Sequence, residues 1–134
     1  MIKQEIRKKE FMYRGKTLEE LKTLETREFA NLATSRARRT ILRQFREIED
    51  FISRANSKIA KKKTIRTHLR DLIIVPKMVG MKIHIYNGKE FVPVEIVGEM
   101  LGHRFGEFAL SRTKTKHGSA GIGATKGSKF KSKK

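Results

Sequence analysis

Lys82-Ile83-His84-Ile85-Tyr86-Asn87-Gly88-Lys89-Glu90-Phe91-Val92-Pro93-Val94-Glu95-Ile96 reads as two alternating runs joined by Asn-Gly. A two-residue type I′ turn needs positive φ at both central positions, which Asn and Gly tolerate best. A turn at Asn87 and Gly88 sets Tyr86 opposite Lys89, Ile85 opposite Glu90, His84 opposite Phe91, Ile83 opposite Val92, Lys82 opposite Pro93 and Met81 opposite Val94. One face then gathers Met81, Ile83, Ile85, Val92 and Val94, with Glu90 near the tip, and requires a cover. The other face shows Lys82, His84, Tyr86, Lys89, Phe91, Pro93 and Glu95, and is basic and aromatic. Pro93 cannot donate to a ladder, so its strand lies at an edge or turns its backbone nitrogen away from the partner.

Upstream, the cover is supplied by helical periodicity. Residues 1–16 are mostly charged and read as an irregular extension, with Phe11, Met12 and Tyr13 as an apolar anchor. Thr17 followed by Glu20 makes a capping box, and Leu18, Leu21 and Leu24 form a short helical stripe behind it. Thr26 is placed to cap a second turn or two carrying Phe29 and Leu32. A third, longer helix begins at Thr34 or Ser35, where Ile41, Leu42, Phe45, Ile48, Phe51 and Ile52 recur about every 3.6 residues and the arginines lie largely off that stripe. Residues 56–67 read as a basic linker. Leu72–Val75 is a candidate buried strand, the third beside the hairpin, and Gly98–Phe108 a short helix bent by Gly102 and Gly106. The expected architecture is α+β, with a helical and sheet domain over residues 17–110 and a tail over 111–134.

Charge dominates the composition. Across 134 residues, 32 Lys and Arg face 14 Asp and Glu, a formal net charge of +18, far beyond what solubility requires. Residues 36–70 hold twelve Arg and Lys against Glu47, Glu49 and Asp50, a net of +9. Residues 111–134 hold eight basic residues and no acid, and with Gly118, Gly121, Gly123 and Gly127 they cannot bury enough apolar surface to order alone. Two such clusters call for a polyanion, whose phosphates Lys and Arg neutralise with release of counterions. Arginine in the helix suits bidentate phosphate contacts and stacking. No helix-turn-helix, zinc finger or RNP aromatic pair is present.

Other chemistries find little support. The chain contains no Cys, which excludes disulfides and thiolate metal sites. The amino terminus lacks an apolar signal region, and the run Leu72–Val75 is far short of the ~20 residues of a membrane span, so a cytoplasmic location is expected. Glu99, His103 and Glu107 have metal-ligand or acid–base spacing, but Gly102 and Gly106 interrupt their helix and no further ligands join them. Gly121–Gly127 lacks the Walker spacing and its flanking strand and helix. No cofactor and no metal are expected.

Several spaced motifs coincide in one chain: Asn87-Gly88-Lys89, Ile96, Leu101-Gly102, Phe105-Gly106-Glu107-Phe108 and Ser111. With them stand Phe11–Lys16, Ile65–Asp71, Pro76–Gly80, Lys116-His117-Gly118 and Gly121-Ile122-Gly123-Ala124-Thr125. On these residues the chain resembles the S-nineteen family of small-subunit ribosomal proteins, of the archaeal and eukaryotic type; the likeness is thinnest between Gln44 and Lys63. The resemblance implies an α+β fold with a small, mainly antiparallel sheet packed by helices. It also implies a place in the head of the small subunit on the 3′ domain of the small-subunit (16S-type) ribosomal RNA, beside the S-thirteen family protein, with the tail reaching toward the decoding region and its transfer RNAs.

The first expectation is therefore a non-catalytic RNA-binding protein with no homo-oligomer. Anchoring falls to Arg36, Arg38, Arg39, Arg43, Lys61, Lys62, Lys63, Arg66, His68 and Arg70. Sheet-face contacts come from Lys82 and His84, and longer-range contacts from Arg104, Arg112, Lys114, Lys116, His117, Lys126 and Lys129. The alternatives are a small RNA-processing enzyme using His103 with Glu99 or Glu107, and a general architectural DNA-binding protein.

Overall fold

The computed structural model describes residues 9–115, 121 and 126–129. Along them run β1 (Met12–Tyr13), β2 (Lys16–Thr17), α1 (Leu18–Thr23), α2 (Thr26–Leu32), α3 (Ser35–Arg43), α4 (Phe45–Ala60), β3 (Ile65–Thr67), β4 (Lys82–Tyr86) and β5 (Phe91–Glu95). Short 3₁₀ turns occupy Pro76–Met78, Gly98–Met100, Phe105–Glu107 and Lys126–Ser128. The architecture is α+β, as expected, with a two-stranded ribbon β1–β2 and a three-stranded sheet in the order β3-β4-β5.

The capping box at Thr17 is present: the Glu20 amide donates to Thr17 Oγ1 at 3.4 Å and the Thr17 amide to Glu20 Oε2 at 3.0 Å. For α2 the box is formed by Glu25 and Glu28 instead. Thr26, expected as the cap, is the first helical residue, and its buried hydroxyl donates to Glu49 of α4. Residues 12–16, within the stretch expected to be irregular, form with Thr17 the β1–β2 ribbon around Arg14 and Gly15, both at positive φ.

The long helix expected from Ser35 is two helices. Gln44 leaves the helical region at φ −103°, ψ 21°, and its side-chain amide donates to Asp71 at 2.7 Å. The bend rotates Leu42 out of the apolar stripe, so it is 51% exposed while Ile41, Ile48, Phe51 and Ile52 remain buried. The helix then continues to Ala60 through half of the expected linker.

In the hairpin, Tyr86 pairs with Phe91, Ile85 with Val92, His84 with Pro93, Ile83 with Val94 and Lys82 with Glu95. The register is thus shifted by two residues from the expected one, and the loop holds four residues instead of two. Asn87 is the cause. Its Oδ1 accepts from the amides of Lys89 and Glu90 at 2.9 and 2.8 Å, and its own amide donates to the Glu90 carbonyl at 3.0 Å. Such an Asx turn leaves only Gly88 at positive φ. Because strand side chains alternate with period two, a shift of two preserves the faces: Met81, Ile83, Ile85 and Val94 are buried, and Lys82, Pro93 and Glu95 are exposed.

The third strand is not Leu72–Val75. β3 takes that place from within the expected linker, parallel to β4, with Arg66 opposite His84 and Thr67 opposite Ile85. Leu72–Val75 is buried throughout, but its backbone pairs with the irregular segment 102–106. Ile74 donates to the His103 carbonyl at 2.8 Å, Phe105 to that of Leu72 at 3.1 Å and Gly106 to that of Arg70 at 2.8 Å. Satisfying those polar groups is the condition for burying the run. The single bent helix expected over 98–108 is accordingly two 3₁₀ turns separated by this pairing, with Gly102 at φ +79°. Leu21, Phe29, Ile41, Ile48, Phe51, Leu72–Val75, Ile83, Ile85, Ile96, Leu101 and Phe105 form one core between the helices and the inner sheet face.

Candidate nucleic-acid interface

Residues 36, 39, 40 and 43 are spaced to share one face of α3. With Gln44 and Arg104 they line a concavity of about 360 Å³, so four guanidinium groups converge on one recess. Arg104 reaches α3 from beyond the sheet and donates to Thr40 Oγ1 at 3.4 Å. Gln44 Nε2 is held by Asp71, and its Oε1 is buried without a donor among the described residues. Among the described residues the ion pairs are Lys77–Glu49 at 3.5 Å and His103–Glu107 at 2.6 Å; neither involves these arginines. A set of cations left without carboxylates in a small recess carries a strong positive potential. Arg38 stands apart from the set: its Nε and Nη2 donate to the Ala30 and Asn31 carbonyls at 3.2 and 2.8 Å and close the end of α2.

A second basic group forms where α4 ends. Lys62 has φ +53°, its amide donates to the Ile59 carbonyl at 2.9 Å and that of Lys63 to Lys58 at 2.8 Å. This is the Schellman arrangement, which normally places glycine where Lys62 stands. It turns Lys62 and Lys63 toward Lys82 and His84 around a recess of about 360 Å³; Lys61 is exposed beside it. Lys62→Gly is expected to raise stability by about 1 kcal/mol through relief of the left-handed conformation, read as a higher urea midpoint. A lower midpoint would mean that the lysine side chain supports the fold.

The outer sheet face carries the third group. Arg66, His84 and Pro93 lie in one row across β3, β4 and β5. Tyr86 and Phe91 form the next row, with ring centroids 5.1 Å apart. His68 rests on both, 4.7 Å from Tyr86 and 5.2 Å from Phe91, and the Arg66 guanidinium lies 5.4 Å from the Phe91 centroid. Behind them Arg54 and Lys58 of α4 join Arg66 and His68 around a recess of about 430 Å³.

Arg70 differs from the other expected anchors. Its guanidinium donates to the carbonyls of Tyr86 at 2.6 Å, Gly106 at 3.1 Å and Ala109 at 2.6 Å, so it clamps the sheet to the segment that follows it. Arg112, Lys114, Lys126 and Lys129 are exposed. Lys116 and His117, and with them most of the tail expected to order only on binding, lie outside the described residues. Arg54 and Lys58 are not among the expected contacts: the sequence reading puts Arg54 on the helix and Lys58 in the linker after it, whereas α4 runs on to Ala60 and sets the two one turn apart; their i, i+4 spacing was the available signal. Tyr86 and Phe91 were legible as facing outward but not as ring neighbours, since the expected register did not pair them.

His103 Nδ1 meets Glu107 Oε2 at 2.6 Å, with both side chains about half exposed, at 53% and 52%. Their spacing arises from the 3₁₀ turn at Phe105–Glu107 and not from an α-helix. No group of three metal-ligating side chains occurs among the described residues, and none of their helices is long and apolar enough to cross a membrane.

A helix-backed small sheet whose open face and arginine-rich helix present cations that have no carboxylate partner among the described residues defines a small basic α+β protein suited to a polyanion. The sequence model of the family Ribosomal protein S19 matches residues 33–117. The chain is also 51% identical over 124 residues to the "Small ribosomal subunit protein uS19" of Methanocella arvoryzae (strain DSM 22066 / NBRC 105507 / MRE50), covering 92% of this chain and 87% of that protein. The chain belongs to the ribosomal protein S19 family. It is thus a ribosomal protein, a component of the ribonucleoprotein that carries out translation.

Proposed function

We propose that this chain is a structural constituent of the small ribosomal subunit, where it binds the 3′ domain of the small-subunit ribosomal RNA in the head through phosphate contacts and shape. The observation that carries the RNA contacts is the recess of Arg36, Arg39, Arg43 and Arg104, whose guanidiniums have no acidic partner among the described residues. Lys61, Lys62, Lys63, Lys82 and His84 extend the footprint along the end of α4 and the sheet. Arg112, Lys114, Lys116, His117, Lys126 and Lys129 carry it toward the decoding region and its transfer RNAs. An S-thirteen family protein is the expected neighbour. Arg38 and Arg70 act within the protein, holding the surfaces that bind.

The test is binding of the full chain to a transcript of that RNA domain and to duplex DNA at matched salt. The transcript should be preferred, and each of Arg36→Gln, Arg39→Gln, Arg43→Gln and Arg104→Gln should weaken binding and reduce the salt slope by about one. Equal affinity for duplex DNA would favour an architectural DNA-binding protein. The hydrogen-bonded His103–Glu107 pair is the observation in favour of a second reading, an RNA-processing enzyme. RNA cleavage by the purified chain that disappears in His103→Ala would establish it, and intact RNA would remove it.

A further inference from the structure

We propose that His68, seated on Tyr86 and Phe91, is a stacking platform for one unpaired nucleobase of the bound RNA, with Arg66 placed for the adjoining phosphate. The inference rests on the RNA-binding reading above and adds a different kind of contact to it.

Tyr86 and Phe91 are directly opposed across β4 and β5, on the face turned away from buried Ile83, Ile85 and Val94. Their rings tilt by 51° against each other. His68 closes the group, 51° from the plane of Tyr86 and 78° from that of Phe91. Both lower rings are half-buried, whereas His68 is exposed. The outermost ring is therefore the imidazole, which is held from below and open above.

Three contacts fix this arrangement before any ligand arrives. The Tyr86 hydroxyl donates to the Gly88 carbonyl at 3.0 Å. The Leu69 amide donates to the hydroxyl of buried Thr67 at 3.0 Å, which sets the turn that carries His68. The Arg66 guanidinium lies over the Phe91 ring, 5.4 Å from its centroid. A ring already immobilised loses little further entropy when a second ring stacks on it.

The plainest role for an aromatic cluster at this place is to close the end of the hairpin. Tyr86 and Phe91, which face each other across the strands, suffice for that, whereas His68 comes from outside the hairpin and is exposed, beside an arginine, on a chain of net charge +18. A nucleotide matches both features, with a π-face for the imidazole and a phosphate for Arg66. Bases inside a duplex are already stacked on each other, so the platform selects a splayed or single-stranded one.

The experiment uses the full chain, with short oligoadenylate as one probe and an RNA duplex of equal phosphate number as the other, at matched salt. The chain has two Tyr and no Trp, so Tyr13→Phe leaves Tyr86 as the single fluorescent reporter. Oligoadenylate should quench its emission and the duplex should not. His68→Ala should lower oligoadenylate affinity about ten-fold with an unchanged salt slope, His68→Phe should keep the affinity, and His68→Lys should not restore it. Rescue by lysine with failure of phenylalanine, or a slope reduced by about one, makes His68 a phosphate contact and overturns the platform. Unchanged affinity in all three variants with no quenching also overturns it, and leaves the RNA-binding reading intact if the ribosomal transcript is still bound. Loss of all RNA binding by the unsubstituted chain overturns the underlying reading itself. Because His68 is exposed, matched thermal transitions should show that the variants are folded.

Discussion

Arg70→Met is expected to lower the stability of the folded protein by about 2–3 kcal/mol, with little change in how RNA binding depends on salt. Three carbonyls, of Tyr86, Gly106 and Ala109, converge on one guanidinium. They belong to the end of β4, the 3₁₀ turn at Phe105–Glu107 and the chain just after it. A hydrogen bond to a charged group contributes roughly 1.5–3 kcal/mol, and three sharing one group are not additive; partial exposure of Arg70 keeps the total near the value of a single strong bond. Methionine keeps the stem and loses every donor. Lysine has a single ammonium on a flexible stem and cannot span carbonyls on three segments, so Arg70→Lys should recover only a part. The check is the urea midpoint at constant slope, followed by the salt slope measured where the variant is fully folded. A normal midpoint with a salt slope lowered by about one would make Arg70 an RNA anchor after all.

Phe105→Ala should cost more, about 3–5 kcal/mol, the range for removing a fully buried aromatic side chain. Phe105 has no exposed surface and its ring lies 5.3 Å from that of Phe51 on α4, tilted by 58°. It joins the two halves of the molecule, because its own amide is also bonded to the Leu72 carbonyl at 3.1 Å. A cavity there loosens the contact of α4 with the Leu72–Val75 segment, and with it the position of Arg104 at the arginine recess. The measurement is again chemical unfolding, with RNA affinity as a second readout. A loss below about 1 kcal/mol would mean that the site collapses around the missing ring and that the core is not organised about it.

The faces of the hairpin were legible in the sequence and its turn was not, for one reason. Strand parity survives a register error of two, so the sorting of Ile83, Ile85 and Val94 from Lys82 and Pro93 held. The choice between a two- and a four-residue loop depends on where the Asn87 side chain finds its donors, which no alternation reveals. Leu72–Val75 failed as a sheet strand because four apolar residues in a row report burial on both sides and say nothing of which backbone pairs with them. β3 went unseen because Ile65-Arg66-Thr67 is short, follows a lysine run and hides a threonine, and because its parallel partner is distant along the chain. Likewise the arginine clusters were visible as charge. That Arg36, Arg39 and Arg43 are open while Arg70 is clamped by carbonyls was not visible, because every residue carries a carbonyl and the fold alone decides which three converge.

The reading of Arg36, Arg39 and Arg43, which have no acidic partner among the described residues, as RNA contacts requires that the chain reside on ribosomal RNA. Sedimentation of a cell lysate through a density gradient, at low and then at high salt, tests that most directly. The account predicts that the protein migrates with small ribosomal subunits in both conditions: salt weakens the phosphate contacts, and the fit of a fixed protein surface to folded RNA retains the chain when they weaken. Protein found free at the top of the gradient, or with DNA, would contradict it.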